Sequence, residues 1–285
     1  MARLPPRAGL SLHPQHFQEI LETRPDVGWF EIHPEHYLGL GGESHRYLEK
    51  VTAEYPLSMN SRALSICSAE SINAKHLQDI SSLINRYQPA QFSEHLSWCR
   101  WQGDYFFQGM PIPYTLESLD QVTINVKEAQ NTLGRRILLE NPSTFIKLKG
   151  NDFSEGEFFS ELVRSSGCGL LLDINSLYTS CQNTGRNAYK ELESYPLAAV
   201  KEVHLGGHSL MPLNDQNMLL INDASCDVIK PVWQLYKEAL SLLPMPVATL
   251  IEWEHNVPQL QEMIKIAKQA EDIIEEVFPG IINRD

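Results

Sequence analysis

Short apolar runs alternate with longer amphipathic stretches along the chain. The runs predict strands at Arg7–Leu12, Gly28–His33, Pro56–Asn60, Gln91–His95, Arg136–Glu140, Gly169–Asp173, Val200–His204 and Pro246–Glu252. Between them, apolar positions recur at helical spacing. Gln15–Glu22 carries Phe17, Ile20 and Leu21 on one side, and Ile72–Tyr87 repeats at Ile72, Leu77, Ile80, Leu83 and Ile84. Leu116–Leu133, Glu155–Ser165, Val228–Leu243 and Pro258–Val277 share that period, and Ser71, Thr115 and Ser154 precede helices as N-caps. Strands in alternation with helices predict a parallel sheet, and eight strands close one. The chain therefore reads as α/β, a (β/α)8 TIM barrel forming a single domain over residues 1–285. An open doubly wound sheet would carry a Gly-rich phosphate turn after its first strand. Leu12-His13-Pro14-Gln15-His16 is no such turn, and Gly39–Gly42 follows the second strand without the required spacing. The longest connections follow the fourth and seventh strands, where insertions on an active-site face are expected.

Composition narrows the partners. The formal charge is −13, from 23 basic and 36 acidic residues. That argues against nucleic acid, whose phosphates need a basic face, and against an anionic membrane surface. No apolar stretch approaches a membrane span, and the first residues show no secretory pattern. The five cysteines are odd in number and widely spaced, with no Cys-x-x-Cys. This predicts reduced thiols in a cytoplasmic protein and excludes a closed thiolate zinc site.

Nearly every predicted strand ends in a metal ligand or general base. The ends carry Glu31 and His33, Glu94 and His95, Glu140, Asp173 and Asn175, His204, and Glu252 and Glu254. Any one of these alone reads as a residue that has reached water. Together, at the mouth of a barrel, they converge. Carboxylates that directly follow Leu-Leu or Leu-Ile are costly to bury unless paired or metal-bound. Several in one mouth repel unless a cation sits among them. An imidazole and carboxylate set without thiolate suits Fe, Mn or Zn, and the surplus of ligands suggests more than one ion.

Ser93–Trp98 (Ser-Glu-His-Leu-Ser-Trp), Leu138–Ser143 (Leu-Leu-Glu-Asn-Pro-Ser), Leu171–Asn175 (Leu-Leu-Asp-Ile-Asn), Val203–His208 (Val-His-Leu-Gly-Gly-His) and Ile251–Trp253 occur in order along the chain, with Gly28–Glu35 and Pro111–Tyr114. This series resembles the multinuclear non-haem iron-dependent oxidative enzymes of the methanobactin-biosynthesis type. The resemblance implies a xylose-isomerase-like TIM barrel with two or three iron ions at its mouth, Mn or Zn being alternatives. It further implies O2-dependent modification of cysteines in a ribosomally made precursor peptide, presented by a small partner protein. It marks His95, Glu140, Asp173, His204 and Glu252 as metal ligands, with Asn175 a weaker one. It places His16 in the lining of the site or as the cap of the first helix, and gives His208 a role positioning substrate and Glu31 a role orienting a ligand. The chain also departs from the pattern. Asn60 stands where the family usually has a metal-binding His, and Asn222-Asp223-Ala224 aligns with Asp-x-His. His36 replaces an Asn and is a substitute ligand candidate. Two other readings stay open: a metal-dependent hydrolase or isomerase on the same barrel, and a homologue that binds metal or partner without turnover.

Overall fold

The computed structural model describes residues 3–39, 41–214 and 217–282. In chain order the strands are β1 (Ala8–Ser11), β2 (Phe30–Ile32), β3 (Leu57–Ser61) and β4 (Gln91–His95). A hairpin of β5 (Trp98–Trp101) and β6 (Asp104–Met110) follows, then β7 (Leu138–Glu140), β8 (Gly169–Asp173) and β9 (Val200–Leu205). A second hairpin, β10 (Ser209–Asn214) and β11 (Asn217–Ile221), precedes β12 (Ala248–Ile251). The helices are α1 (Phe17–Thr23), α2 (Glu43–Thr52), α3 (Ala74–Tyr87), α4 (Leu116–Leu133), α5 (Glu155–Ser166), α6 (Ile174–Thr184), α7 (Ala188–Ser194), α8 (Lys230–Leu242) and α9 (Leu260–Val277).

All eight expected strands form, and they close a parallel barrel in the order β1-β12-β9-β8-β7-β4-β3-β2, with β2 returning to β1. Side chains alternate across each strand. Leu139, Leu170, Leu172, Val203, Leu205 and Ile251 face outward into the core shared with the helices. Their neighbours Glu140, Asp173, Glu202, His204 and Glu252 face the axis. Contacts between strands that are not neighbours establish this. Ser58 on β3 reaches Glu202 on β9, and Asn60 on β3 reaches Glu140 on β7. The floor of the barrel is apolar: Trp29, Ala248 and Leu250 form a separate buried cluster. Gly9 on β1 makes room for it, since a Cβ there would lie 2.4 Å from the Trp29 ring.

The two long connections are the two hairpins, both on the C-terminal side of the barrel strands that precede them. Helices α2, α6 and α7 also lie outside the expected set. Asn73, not Ser71, caps α3 by accepting from the His76 N–H, whereas Thr115 and Ser154 cap α4 and α5 as expected. The cysteines are all free thiols, and Cys226 alone is exposed. No described helix is long and apolar enough to cross a membrane.

Candidate metal centre

The mouth is built from strand ends. Deepest of the expected ligands is His204 on β9, which has no solvent exposure. Its Nε2 lies 3.3 Å from Glu202 and 3.5 Å from Glu31. Glu202 is the residue two positions earlier on the same inward face, and Ser58 donates to it. Burial alone would keep His204 neutral, but the charge of Glu31 and the hydrogen bond to Glu202 raise its pKa. The same imidazolium holds Glu31 below the usual carboxylate range against its burial. Glu202 is pushed up to about 8 by burial and by the Glu31 charge. In the metal-free cluster the charge of His204 is thus offset by Glu31, and Glu202 is the carboxyl that burial favours in its protonated form. Two of its buried atoms remain without a partner, His204 Nδ1 and Glu31 Oε2.

Above it, His95 on β4 lies beside Glu140 on β7, with Nε2 3.3 Å from Oε2. Asn60 bridges the pair. Its Nδ2 donates to Glu140 at 2.8 Å, and its Oδ1 sits 3.1 Å from His95 Nε2. Burial raises the Glu140 pKa to about 8; His204 opposes the rise, and Glu252 and Asp173 reinforce it. Burial depresses the His95 pKa, leaving it a neutral donor. Asp173, the last residue of β8, doubles as the N-cap of α6. It accepts from Ser176 N and Oγ, both at 2.9 Å, and from Asn222 Nδ2 at 2.9 Å. It pairs in register with His204 on the neighbouring strand.

The outer rim holds His33, Glu252 and Glu254, whose donor atoms lie within 4.8 Å of one another. The Arg62 guanidinium reaches the same carboxylates. Its Nη1 donates to Glu254 at 2.8 Å and its Nη2 to Glu252 at 3.1 Å, with a second contact to Glu254. Arg62, Glu254 and His255 line both cavities of the mouth. One, of about 480 Å³, is lined by His95, Glu140, Asp173 and the hairpin residues Tyr105 and Phe106. The other, of about 510 Å³, is lined by His13, His33, His36 and Glu35.

The sequence-derived candidates therefore divide. His95, Glu140, Asp173, Glu252 and, at greater depth, His204 gather at the mouth; Glu31 touches His204, and Asn60 touches His95 and Glu140. His36 lines the neighbouring cavity, half-buried. The remaining three, Asn175, His208 and His16, engage neighbours instead. Asn175 donates to Gly207 O and Asn222, and its Oδ1 lies 2.8 Å from His208 Nδ1. His16 lies 3.0 Å from the Pro258 carbonyl and makes no side-chain cap contact on α1. Asp223 accepts from Ser209 N and Ser225 Oγ. Glu202 and Arg62 were not among the candidates; Glu202 carries a signal, its position two residues before His204 on a strand of period two.

A model of the RiPP precursor modification enzymes MbnB/TglH/ChrH, which act in the making of ribosomally synthesised modified peptides, matches residues 7–275. The chain belongs to this family. Among its relatives, the UPF0276 protein of Bordetella parapertussis is 40% identical over 261 residues, covering 92% of this chain and 90% of the relative. The UPF0276 protein of Rhizobium meliloti is 37% identical over 275 residues, covering 96% and 89%. Among solved structures, the xylose isomerase-like TIM barrel of Mycobacterium smegmatis in complex with magnesium matches with a TM-score of 0.59 at 13% identity, covering 99% of this chain and all of that one. That likeness establishes the fold. In this MbnB/TglH/ChrH member two imidazole and carboxylate groups suit a cation: Glu31, Glu202 and His204 bring ligand atoms within 4.8 Å of one another, as do His33, Glu252 and Glu254, and His204 Nδ1 is a buried imidazole nitrogen with no protein partner.

Proposed function

We propose that this chain is an iron-dependent oxidative enzyme that uses O2 to modify cysteine residues of a ribosomally made peptide, presented by a small partner protein. Membership of the MbnB/TglH/ChrH family supports the peptide as substrate. The observation that carries the metal is His204: two carboxylates fix its Nε2 side, and its Nδ1 stays buried and free. A carboxylate that orients a metal-binding imidazole in this way is a general device. His95, Glu140, Asp173 and His204 are the ligands in this reading, while Glu252, which the resemblance also marks as a ligand, is held by Arg62 at the rim. Iron held there would supply redox chemistry toward a substrate thiolate. Asn60 fixes His95 and Glu140 relative to each other. Glu140, whose pKa burial raises to about 8 in the metal-free chain, would have to give up its proton to hold an ion. Tyr105 and Phe106 wall the cavity on the side where a peptide would enter. The test incubates anaerobically purified, iron-loaded protein with a cysteine-containing precursor peptide and then admits oxygen. O2 uptake with a matching change in peptide mass, lost in His95→Ala, is the expected result. Zinc or manganese as the only metal, with no oxygen uptake, contradicts it.

One observation favours a second reading, a metal- or partner-binding homologue without turnover. Two expected carboxylate ligands already accept from amides, Glu140 from Asn60 and Asp173 from Asn222. Asn60→His separates the readings. If only the substituted protein consumes oxygen, the second reading holds.

A further inference from the structure

The outer rim of the mouth contains a cation that belongs to the protein. Arg62 is the first residue after β3, and its backbone is anchored. Glu35 accepts from Ser61 Oγ at 2.7 Å, from Arg62 N at 3.0 Å and from Ala63 N at 3.2 Å. Cys99 Sγ donates to the Arg62 carbonyl at 3.4 Å. The side chain is therefore presented from a fixed point and not from a loose loop. Its two terminal nitrogens take oxygens of both Glu252 and Glu254, carboxylates whose side chains are 8% and 19% exposed. His33 Nε2 lies 3.4 Å from the same Glu254 oxygen. His33, Glu252 and Glu254 are close enough together for one ion to bind all three, and a guanidinium already bridges the two carboxylates. A divalent ion placed among them would meet a fixed positive charge at contact distance, and the carboxylates cannot satisfy both.

We propose that Arg62 is a built-in substitute for a metal ion at the rim, so that ions load only at the inner position formed by His95, Glu140, Asp173 and His204. The inference rests on the inner site being a metal centre, and it makes Arg62 the residue that sets metal stoichiometry. Neutralising Arg62 frees Glu252, Glu254 and His33 to bind one more ion. Keeping the charge keeps the rim closed.

The test is metal stoichiometry, not turnover. Wild type, Arg62→Gln, Arg62→Ala and Arg62→Lys are stripped with chelator and titrated anaerobically with Fe(II), and separately with Mn(II), with bound metal counted by elemental mass spectrometry. The neutral variants are expected to bind one ion per chain more than wild type, and Arg62→Lys the wild-type number. Arg62→Gln combined with Glu254→Gln is expected to lose the extra ion. Equal stoichiometry in wild type and in folded, neutral Arg62 variants overturns the proposal, and so does a wild-type ion that depends on Glu254. A wild type with no metal beside an Arg62→Gln protein with one supports the rim assignment and removes the inner centre. A metal-bearing wild type with no gain in the variants does the reverse.

Discussion

His204 concentrates the physics of the site in one side chain. Its ring is inaccessible and sits between Glu31 and Glu202, so folding has placed an imidazolium where only carboxylates neutralise it. Removing one partner of a buried ion pair costs about 3–5 kcal/mol, because the other charge is left behind. His204→Ala should destabilise the metal-free chain by roughly that amount, read as a lower urea midpoint at unchanged slope. Glu202→Gln should cost far less, since that carboxyl is already protonated below about pH 8. The same residues set the pH dependence. Glu140 and Glu202 both titrate near 8 in the folded chain, above the unfolded carboxylate value. A group raised on folding stabilises below its unfolded pKa and loses that contribution as pH rises through the folded one. His204, also raised, acts in the same direction. The metal-free protein should therefore be less stable at pH 9 than at pH 7, and Glu140→Gln should flatten the decline in urea melts. Apparent metal affinity should rise over the same interval, because an ion displaces the Glu140 proton; titration calorimetry in two buffers of different ionisation enthalpy reports that release.

At the scale of elements, the strands were legible because apolar runs and turns mark them strongly. Leu-Leu-Leu before Asp173 and Leu-Ile before Glu252 place a carboxylate where a buried strand stops. Helix α6 was not legible, because it starts without a gap after β8, and Asp173 serves as strand end and cap together. The hairpins escaped for a different reason. Leu210, Met211, Leu213 and Met218 are exposed, as are Trp101, Tyr105 and Phe106, so their apolar pattern does not report burial. Trp98 is partly buried against the core, while Trp101 projects from its hairpin. The segment after β11 depends on Gly207. A Cβ there would lie 2.0 Å from the Cys226 carbonyl oxygen, a backbone atom that must move. Gly207→Ala should cost about 1–3 kcal/mol as an overpacked site. It should also push Asn222 away from Asp173, detected as altered metal affinity with the barrel's circular dichroism retained. Gly9→Ala, at the floor against Trp29, should destabilise by a similar amount and leave metal stoichiometry unchanged.

For the whole molecule, a parallel barrel brings residues from eight distant segments to one rim, and that convergence is what a sequence conveys only in outline. Glu140, Asp173 and Glu252 could be named as strand ends because each ends an apolar run; His95 and His204 end strands of mixed character, and the family resemblance marked all five as ligands. Arg62 could not, since nothing in Asn60-Ser61-Arg62-Ala63 says that its side chain crosses to β12's end and meets Glu252 and Glu254. Which carboxylates face an ion, and which face an amide or a guanidinium, is a property of the closed barrel. The acidic excess of the chain is partly offset here: several carboxylates in one mouth are balanced by Arg62 and, in the metal-free chain, by His204, whose proton iron would replace in the proposed reading. The most direct measurement is the metal content of protein purified anaerobically from iron-supplemented cells, compared with His95→Ala and His204→Asn. The account predicts at least one iron per chain in the wild type and its loss in both variants. A wild type without metal, or one whose iron survives both substitutions, would contradict it.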